Sequence, residues 1–328
     1  MVIQPIERIR GLPPQVFFSE YNSLSRPVII TNSLRWPALE KWTHEWFRDT
    51  HGDLAVELSC NPTHTHRPVK MRLGEYMQRV IDNHRMEGGL YLAQFPLHRI
   101  PALSKDFSVP PYCSRKREVM PHLWVGPGTT VLSFHKDNHG PLNEVENIFV
   151  QIRGAKRVIL ASPENDPLMY PRSADTGAYW HSQVNPERPD FHKFPLFEKA
   201  TLLEGIVGPG DVIYIPRNYW HYVRALERSV SMSFWWNPCR LMEVVRLLSS
   251  ENEPEIEALR LQDRTALTDE DIREFGGVAR LESAFAEFHD LSYRDRLCSR
   301  LAAHADQTAR QAIESALAAA QAATGPSC

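Results

Sequence analysis

Thr130-Val131-Leu132-Ser133-Phe134-His135-Lys136-Asp137 is the stretch from which the rest of the chain can be read. Its β-branched and apolar start reads as a strand ending at a loop, and alternation puts positions i and i+2 on one face. His135 and Asp137 can therefore reach one ion together. A second stretch runs from Gly208-Pro209-Gly210-Asp211 through Val212-Ile213-Tyr214-Ile215-Pro216 to Tyr219-Trp220-His221-Tyr222-Val223. It reads as a turn, a short buried strand, a Pro bend and a further strand that begins at the histidine. Two histidines and a carboxylate make a facial triad, which fills three positions of an octahedral Fe(II) and leaves three open for a bidentate co-substrate and O2.

A His-x-Asp pair on a strand is common outside metal sites, so the flanking sequence matters. Asn147-Ile148-Phe149-Val150-Gln151-Ile152-Arg153-Gly154-Ala155-Lys156 and the apolar run after it form a hairpin pattern, with Gly154 at the turn and Lys156 opening the second strand. A lysine buried there is tolerable only if its charge is paired. The bland alternative is an exposed lysine at a strand start.

At this point the spacing resembles the Jumonji-C oxygenases, iron and 2-oxoglutarate enzymes built on a cupin-type double-stranded β-helix. Tyr219-Trp220-His221-Tyr222-Val223-Arg224, Ser231-Met232-Ser233-Phe234-Trp235-Trp236, Tyr91-Leu92-Ala93-Gln94 and Pro111-Tyr112-Cys113-Ser114 are similar to segments of its protein-arginyl hydroxylase branch, in matching order. The resemblance implies a mainly β fold with helices: a cupin jelly-roll core, an N-terminal α/β buttress and a C-terminal helical extension. It implies Fe(II) on His135, Asp137 and His221, with 2-oxoglutarate and O2 as co-substrates. Tyr91, Asn147 and Lys156 would hold 2-oxoglutarate and Trp235 would pack beside it: a point charge, two neutral donors and a dry wall. Glu57 and Trp124 fall where the family's arginine pocket has its acid and aromatic, a pair suited to a guanidinium. Alone, Tyr91, Trp124 and Trp235 read equally as core aromatics, Asn147 as a strand-edge turn residue and Glu57 as solvated.

The chain departs from the family in two places. Asn138 to Glu146 is an insertion beside the expected iron, with a turn at Gly140-Pro141-Leu142-Asn143 and the capacity to reshape the substrate entrance. His139 completes His-x-Asp-x-His but reads as a solvated loop residue. Leu132 stands where relatives place a small hydroxyl residue that touches the co-substrate, leaving Ser133, Thr129 or Thr130 to compensate.

The 328 residues suggest about two folding units, and 37 Lys and Arg against 40 acids give a net charge of −3. No basic excess points to nucleic acid. Five scattered cysteines without a Cys-x-x-Cys pair fit reduced thiols. The first residues carry charges where a secretion signal needs an apolar run, and no segment approaches membrane-spanning length, so the expected setting is cytoplasmic. The expected divisions are 1–120 as the buttress, 121–237 as the catalytic core and 238–328 as helices. Among the core strands are Thr130 to His135, Ile148 to Arg153, Val212 to Ile215 and Val230 to Trp235. Between Pro163 and Phe197 an ordered excursion is expected, on its Pro signals and Tyr179, Trp180 and Phe191. Thr268-Asp269-Glu270-Asp271 resembles a capping box, and Leu297, Leu301, Ile313 and Leu317 give an incomplete apolar face from Arg294 to Ala323. That face serves either a homodimer, which such appended helices often make, or a bundle on its own subunit.

The resulting expectation is a dioxygenase that hydroxylates a C–H bond, first of an arginine residue in a protein or peptide. The alternatives are a free amino acid, a biosynthetic peptide or a modified nucleoside as substrate, N-methyl-lysine demethylation, and an inert cupin-like binding protein.

Overall fold

The computed structural model describes residues 1–60, 68–83, 89–137, 140–173, 180–249 and 262–323, Cys60 by its backbone alone. His139 and Tyr179 lie outside the described residues. The chain divides into two compact units, one holding residues 1–113, 119–137 and 146–235, the other 114–118, 138–145 and 236–328.

The first unit is built from strands. β1 (Val2–Pro5), β2 (Arg8–Arg10), β3 (Val28–Thr31), β4 (Ala55–Cys60), β5 (Val69–Arg72) and β6 (Leu90–Pro96) precede the central set. That set comprises β7 (Met120–Gly126), β8 (Val131–His135), β9 (Glu146–Arg153), β10 (Lys156–Ala161), β11 (Thr201–Val207), β12 (Val212–Ile215), β13 (Trp220–Ala225) and β14 (Ser229–Trp236). They form a five-stranded sheet in the order β1-β11-β10-β13-β8 and a nine-stranded sheet in the order β2-β3-β12-β9-β14-β7-β6-β4-β5. From β7 to β10, and again from β11 to β14, each strand lies in the other sheet from the one before it. That alternation is the winding of a double-stranded β-helix, as expected. Strands β9 and β14 are buried along nearly their whole length, which explains their lack of polar alternation.

The N-terminal segment lengthens both sheets. β1 runs parallel to β11, β3 pairs antiparallel with β12, and β6 pairs with β7. Helices α1 (His44–His51) and α2 (Leu73–Asp82) belong to this part. Thr43 caps α1 by accepting from Trp46 N at 3.0 Å. The hairpin β9–β10 turns at Gly154, whose φ is +68°. A Cβ there would lie 2.3 Å from the Arg228 carbonyl oxygen, so the turn is closed to larger residues.

The second unit is helical: α3 (Arg240–Leu248), α4 (Asp269–Phe275), α5 (Gly277–Ala286), α6 (Leu291–Ala303) and α7 (Gln307–Ala323). Thr268 opens α4, its N–H donating to the Asp271 carboxylate at 2.8 Å as a capping box requires. The alanine-rich stretch is not continuous: it breaks after Ala303, and Asp306 restarts it by accepting from Ala309 N at 2.8 Å. Leu297, Leu301 and Ile313 are buried in this unit's own core and Leu317 packs against it. The apolar face read from the sequence is thus used within one subunit. Leu142, from the insertion, is 1% exposed in the same core. Asn143 N donates to Gly140 O at 3.1 Å, closing the expected turn. Among the described residues no helix is long and apolar enough to cross a membrane.

Candidate metal centre

β8 delivers His135 and β13 delivers His221, which sit opposite each other in the pairing of the two strands. The register then slips, so that Val223 faces Leu132. Phe134, next to His135 and so on the other face, lies in the apolar cluster with Trp220 and Tyr222, the two neighbours of His221. Asp137 follows just beyond the strand. Its Oδ1 lies 3.4 Å from His221 Nε2 and 3.7 Å from His135 Nε2. Ligands at adjacent corners around one ion, each about 2.1 Å from it, stand about 3 Å apart. Among the described residues these three form the one group of His, Cys and acidic side chains close enough to share an ion.

The other ring nitrogens are occupied. His135 Nδ1 lies 2.7 Å from Ser133 O and His221 Nδ1 lies 3.2 Å from Tyr219 O. A carbonyl can only accept, so each Nδ1 carries a proton and each Nε2 is the nitrogen turned to the centre. Burial, then the neighbouring His221 charge, pushes His135 down to about 3, keeping it neutral. Burial opposes the charge on Asp137, but the charge and hydrogen bond of His221, with His135 and the Trp235 indole, hold it below the usual carboxylate range. His221 is raised: burial works against its charge, and Asp137 more than offsets it.

The outer oxygen of Asp137 is fixed as well. Its Oδ2 accepts from Asn147 Nδ2 at 2.8 Å and from Trp235 Nε1 at 2.9 Å. Asn147 and Trp235 therefore orient the central carboxylate, a role absent from the sequence reading. Among the described residues the Asn147 Oδ1 is buried without a hydrogen-bond partner.

Lys156 is 2% exposed, and its Nζ donates to Tyr91 OH at 3.1 Å. The ammonium lies 5.0 Å from the Phe149 ring centre, and among the described residues it has no carboxylate partner. Burial pushes it down to about 7. Gly126 makes room for Tyr91, since a Cβ there would come within 2.6 Å of the tyrosine ring. Trp124 lies between Tyr91 (5.7 Å, tilted) and Trp235 (5.9 Å, edge-on) and donates its N–H to Ser233 Oγ at 2.7 Å. Glu57, unlike these residues, is exposed: its side chain is 55% exposed and pairs with Lys70 at 3.0 Å across the β4–β5 pair.

Two hydroxyls that could have replaced the one missing at Leu132 are committed elsewhere. Thr130 Oγ1 donates to Pro127 O at 3.1 Å, and Ser133 Oγ meets His181 Nδ1 at 3.3 Å. His181 was not singled out in the sequence. It returns from the Pro163–Phe197 excursion to bridge His135 and stacks on its ring, 5.4 Å between centres and 18° between planes. A signal for the interior was available in β14, where Ser229, Ser231 and Ser233 are small polar residues at every second position of a fully buried strand.

Residues 14–240 match the cupin-like domain family. The chain belongs to that family, in its Jumonji-C form. This cupin-like chain is 33% identical over 243 residues to lysine-specific demethylase 8 of Danio rerio, 71% of the chain and 58% of the relative. It is 24% identical over 262 residues to the human bifunctional peptidase and (3S)-lysyl hydroxylase JMJD7, 68% of the chain and 81% of that protein. To the arginine-specific demethylase JMJ22 of Arabidopsis thaliana it is 27% identical over 270 residues, covering 76% and 50%. The chain thus spans little more than half the length of the first of these relatives.

Proposed function

We propose that this chain is an Fe(II) and 2-oxoglutarate-dependent oxygenase that hydroxylates a C–H bond of an arginine residue in a protein or peptide. The observation that carries the reading is the pairing of the converging His, Asp, His group with a buried ammonium that has no carboxylate partner among the described residues. Two imidazoles and a carboxylate suit Fe(II), and Lys156 with Tyr91 suits the far carboxylate of 2-oxoglutarate.

In this reading His135, Asp137 and His221 hold the metal, while Asn147 and Trp235 prevent the Asp137 carboxylate from rotating. Lys156 gains the counter-charge that its burial demands, and Tyr91, which accepts from Lys156, keeps its own hydrogen for the same carboxylate. Trp124 and Trp235 exclude water, so those bonds act in a low dielectric. When bound, iron and 2-oxoglutarate supply the oxidising chemistry: O2 is consumed, 2-oxoglutarate leaves as succinate and CO2, and one oxygen atom enters the substrate. Glu57 would exchange Lys70 for the incoming guanidinium. The same Glu57–Lys70 contact favours a second reading, in which an ammonium occupies that position and the target is lysine, as the names of two relatives describe for themselves.

The test is turnover with Fe(II), ascorbate and labelled 2-oxoglutarate, on matched arginine and lysine peptides read by mass spectrometry. One added oxygen on arginine is the expected result. Oxygen only on lysine, loss of a methyl group, or oxygen only on a free amino acid would replace the substrate assignment, and no CO2 release under any condition would remove the enzymatic reading.

A further inference from the structure

The strands that carry the three candidate ligands are also tied together on the face opposite those ligands. β8 is the edge of the five-stranded sheet, with β13 as its sheet neighbour, and Asp137 lies beyond its last paired residue. A ligand at such a free end needs another restraint. Asp166 supplies contacts of the right kind: its Oδ2 accepts from Lys136 Nζ at 2.7 Å and its Oδ1 from Trp220 Nε1 at 2.6 Å. The same ammonium lies 5.0 Å from the centre of the Trp220 ring. Lys136 separates His135 from Asp137, and Trp220 immediately precedes His221. One carboxylate therefore spans the residue between two ligands and the residue beside the third.

The turn bearing Asp166 is itself anchored. It follows β10, whose last residue, Ala161, pairs with Trp220, so the chain leaves the strand beside the indole. Asn165 Oδ1 accepts from Thr201 N at 3.1 Å, fixing the turn to the start of β11. Further along the same excursion, Trp180 O accepts from Lys136 N at 2.9 Å and Ser182 N donates to Phe134 O at 2.8 Å.

We propose that Asp166 is a positioning residue for the metal centre, locking the strand ends that carry His135, Asp137 and His221 from behind. The inference rests on the reading of those three residues as metal ligands. A carboxylate serving both donors keeps the two imidazoles and Asp137 within the narrow range of separations that one ion tolerates.

Mn(II) alone is titrated calorimetrically into the wild-type chain and into Asp166→Asn, Asp166→Ala, Lys136→Met, the Asp166→Ala/Lys136→Met double variant and Asp137→Ala, with the Tm of each metal-free protein measured alongside. Asp166→Ala and Lys136→Met should each raise the Mn(II) dissociation constant about tenfold, and the double variant by about the same factor and not a hundredfold, because both break one clamp. Asp166→Asn, which keeps an acceptor for Trp220, should lose about threefold. Mn(II) affinities within twofold of wild type in Asp166→Ala and Lys136→Met, whatever their Tm, would overturn the proposal and leave Asp166 as a loop anchor. Should Asp166→Ala fail to fold, Lys136→Met and Asp166→Asn decide in the same way. A wild-type chain that takes up no Mn(II), or binds it equally after Asp137→Ala, would instead overturn the metal reading beneath it.

Discussion

Lys156→Met should make the ligand-free protein more stable while abolishing its response to 2-oxoglutarate. Burial lowers the Lys156 ammonium from its ordinary 10.5 to about 7. At about 1.36 kcal/mol for each tenfold change in proton affinity, that gap amounts to roughly 5 kcal/mol against the charged form in the folded state. The unfolded chain then binds more protons than the folded one between pH 7 and 10.5. Stability therefore rises with pH across that window, and the penalty is complete below it. Methionine keeps an unbranched stem against Tyr91 and Phe149 but removes the charge. It also leaves the Tyr91 hydroxyl without its donor, which offsets about 1 kcal/mol or more. A net gain of about 2 to 4 kcal/mol at pH 6 to 7 follows, in line with other replacements of buried charge by apolar groups. It should fall toward zero by about pH 9, as the wild-type lysine loses less on folding. Urea unfolding followed by tryptophan fluorescence at several pH values measures this, and a thermal shift on adding 2-oxoglutarate measures the other half. A variant that is less stable than wild type at every pH, or that still gains Tm from 2-oxoglutarate, would refute the reasoning. The first outcome would mean that Lys156 is already satisfied, the second that its charge is not the anion's partner.

Trp235→Phe removes one donor from the outer oxygen of Asp137 while keeping an aromatic ring, so Mn(II) affinity should fall about 10- to 100-fold by titration. Gly126→Ala drives a methyl group against the Tyr91 ring, and the concentration of 2-oxoglutarate giving half-maximal CO2 release should rise several-fold with metal affinity preserved. Glu57→Ala should lower peptide-driven CO2 release by about tenfold or more and leave the slow release without peptide almost unchanged, given the pair's exposure. Equal losses in both assays would remove Glu57 from substrate binding.

The core was legible because its signals are local. Apolar strand runs gave β9, β10 and β12 nearly to the residue, and His135, Asp137 and His221 stood at strand ends where few histidines have a structural reason to be. Lys156 was conspicuous for the same reason, a charge in an apolar strand. What stayed hidden depends on contacts distant in sequence. That the indole of Trp235 and the amide of Asn147 serve Asp137 follows from β9 and β14 being neighbours, which no spacing along the chain encodes. His181 and Asp166 sit in an irregular excursion whose path is set by tertiary packing, so nothing in their immediate sequence marks them. The break in the alanine-rich tail was missed because helix propensity on both sides is high. A single capping aspartate, Asp306, decides it.

Leu142 makes the loop after Asp137 part of the helical unit. It lies between two residues of the candidate centre, yet its side chain is sunk in the core of the helical unit. A chain ending at Trp236 would retain every candidate ligand and still strand an isobutyl group in water, together with the turn that carries it. The stretch that matches the family, residues 14–240, thus includes one side chain whose apolar partners lie mostly beyond it.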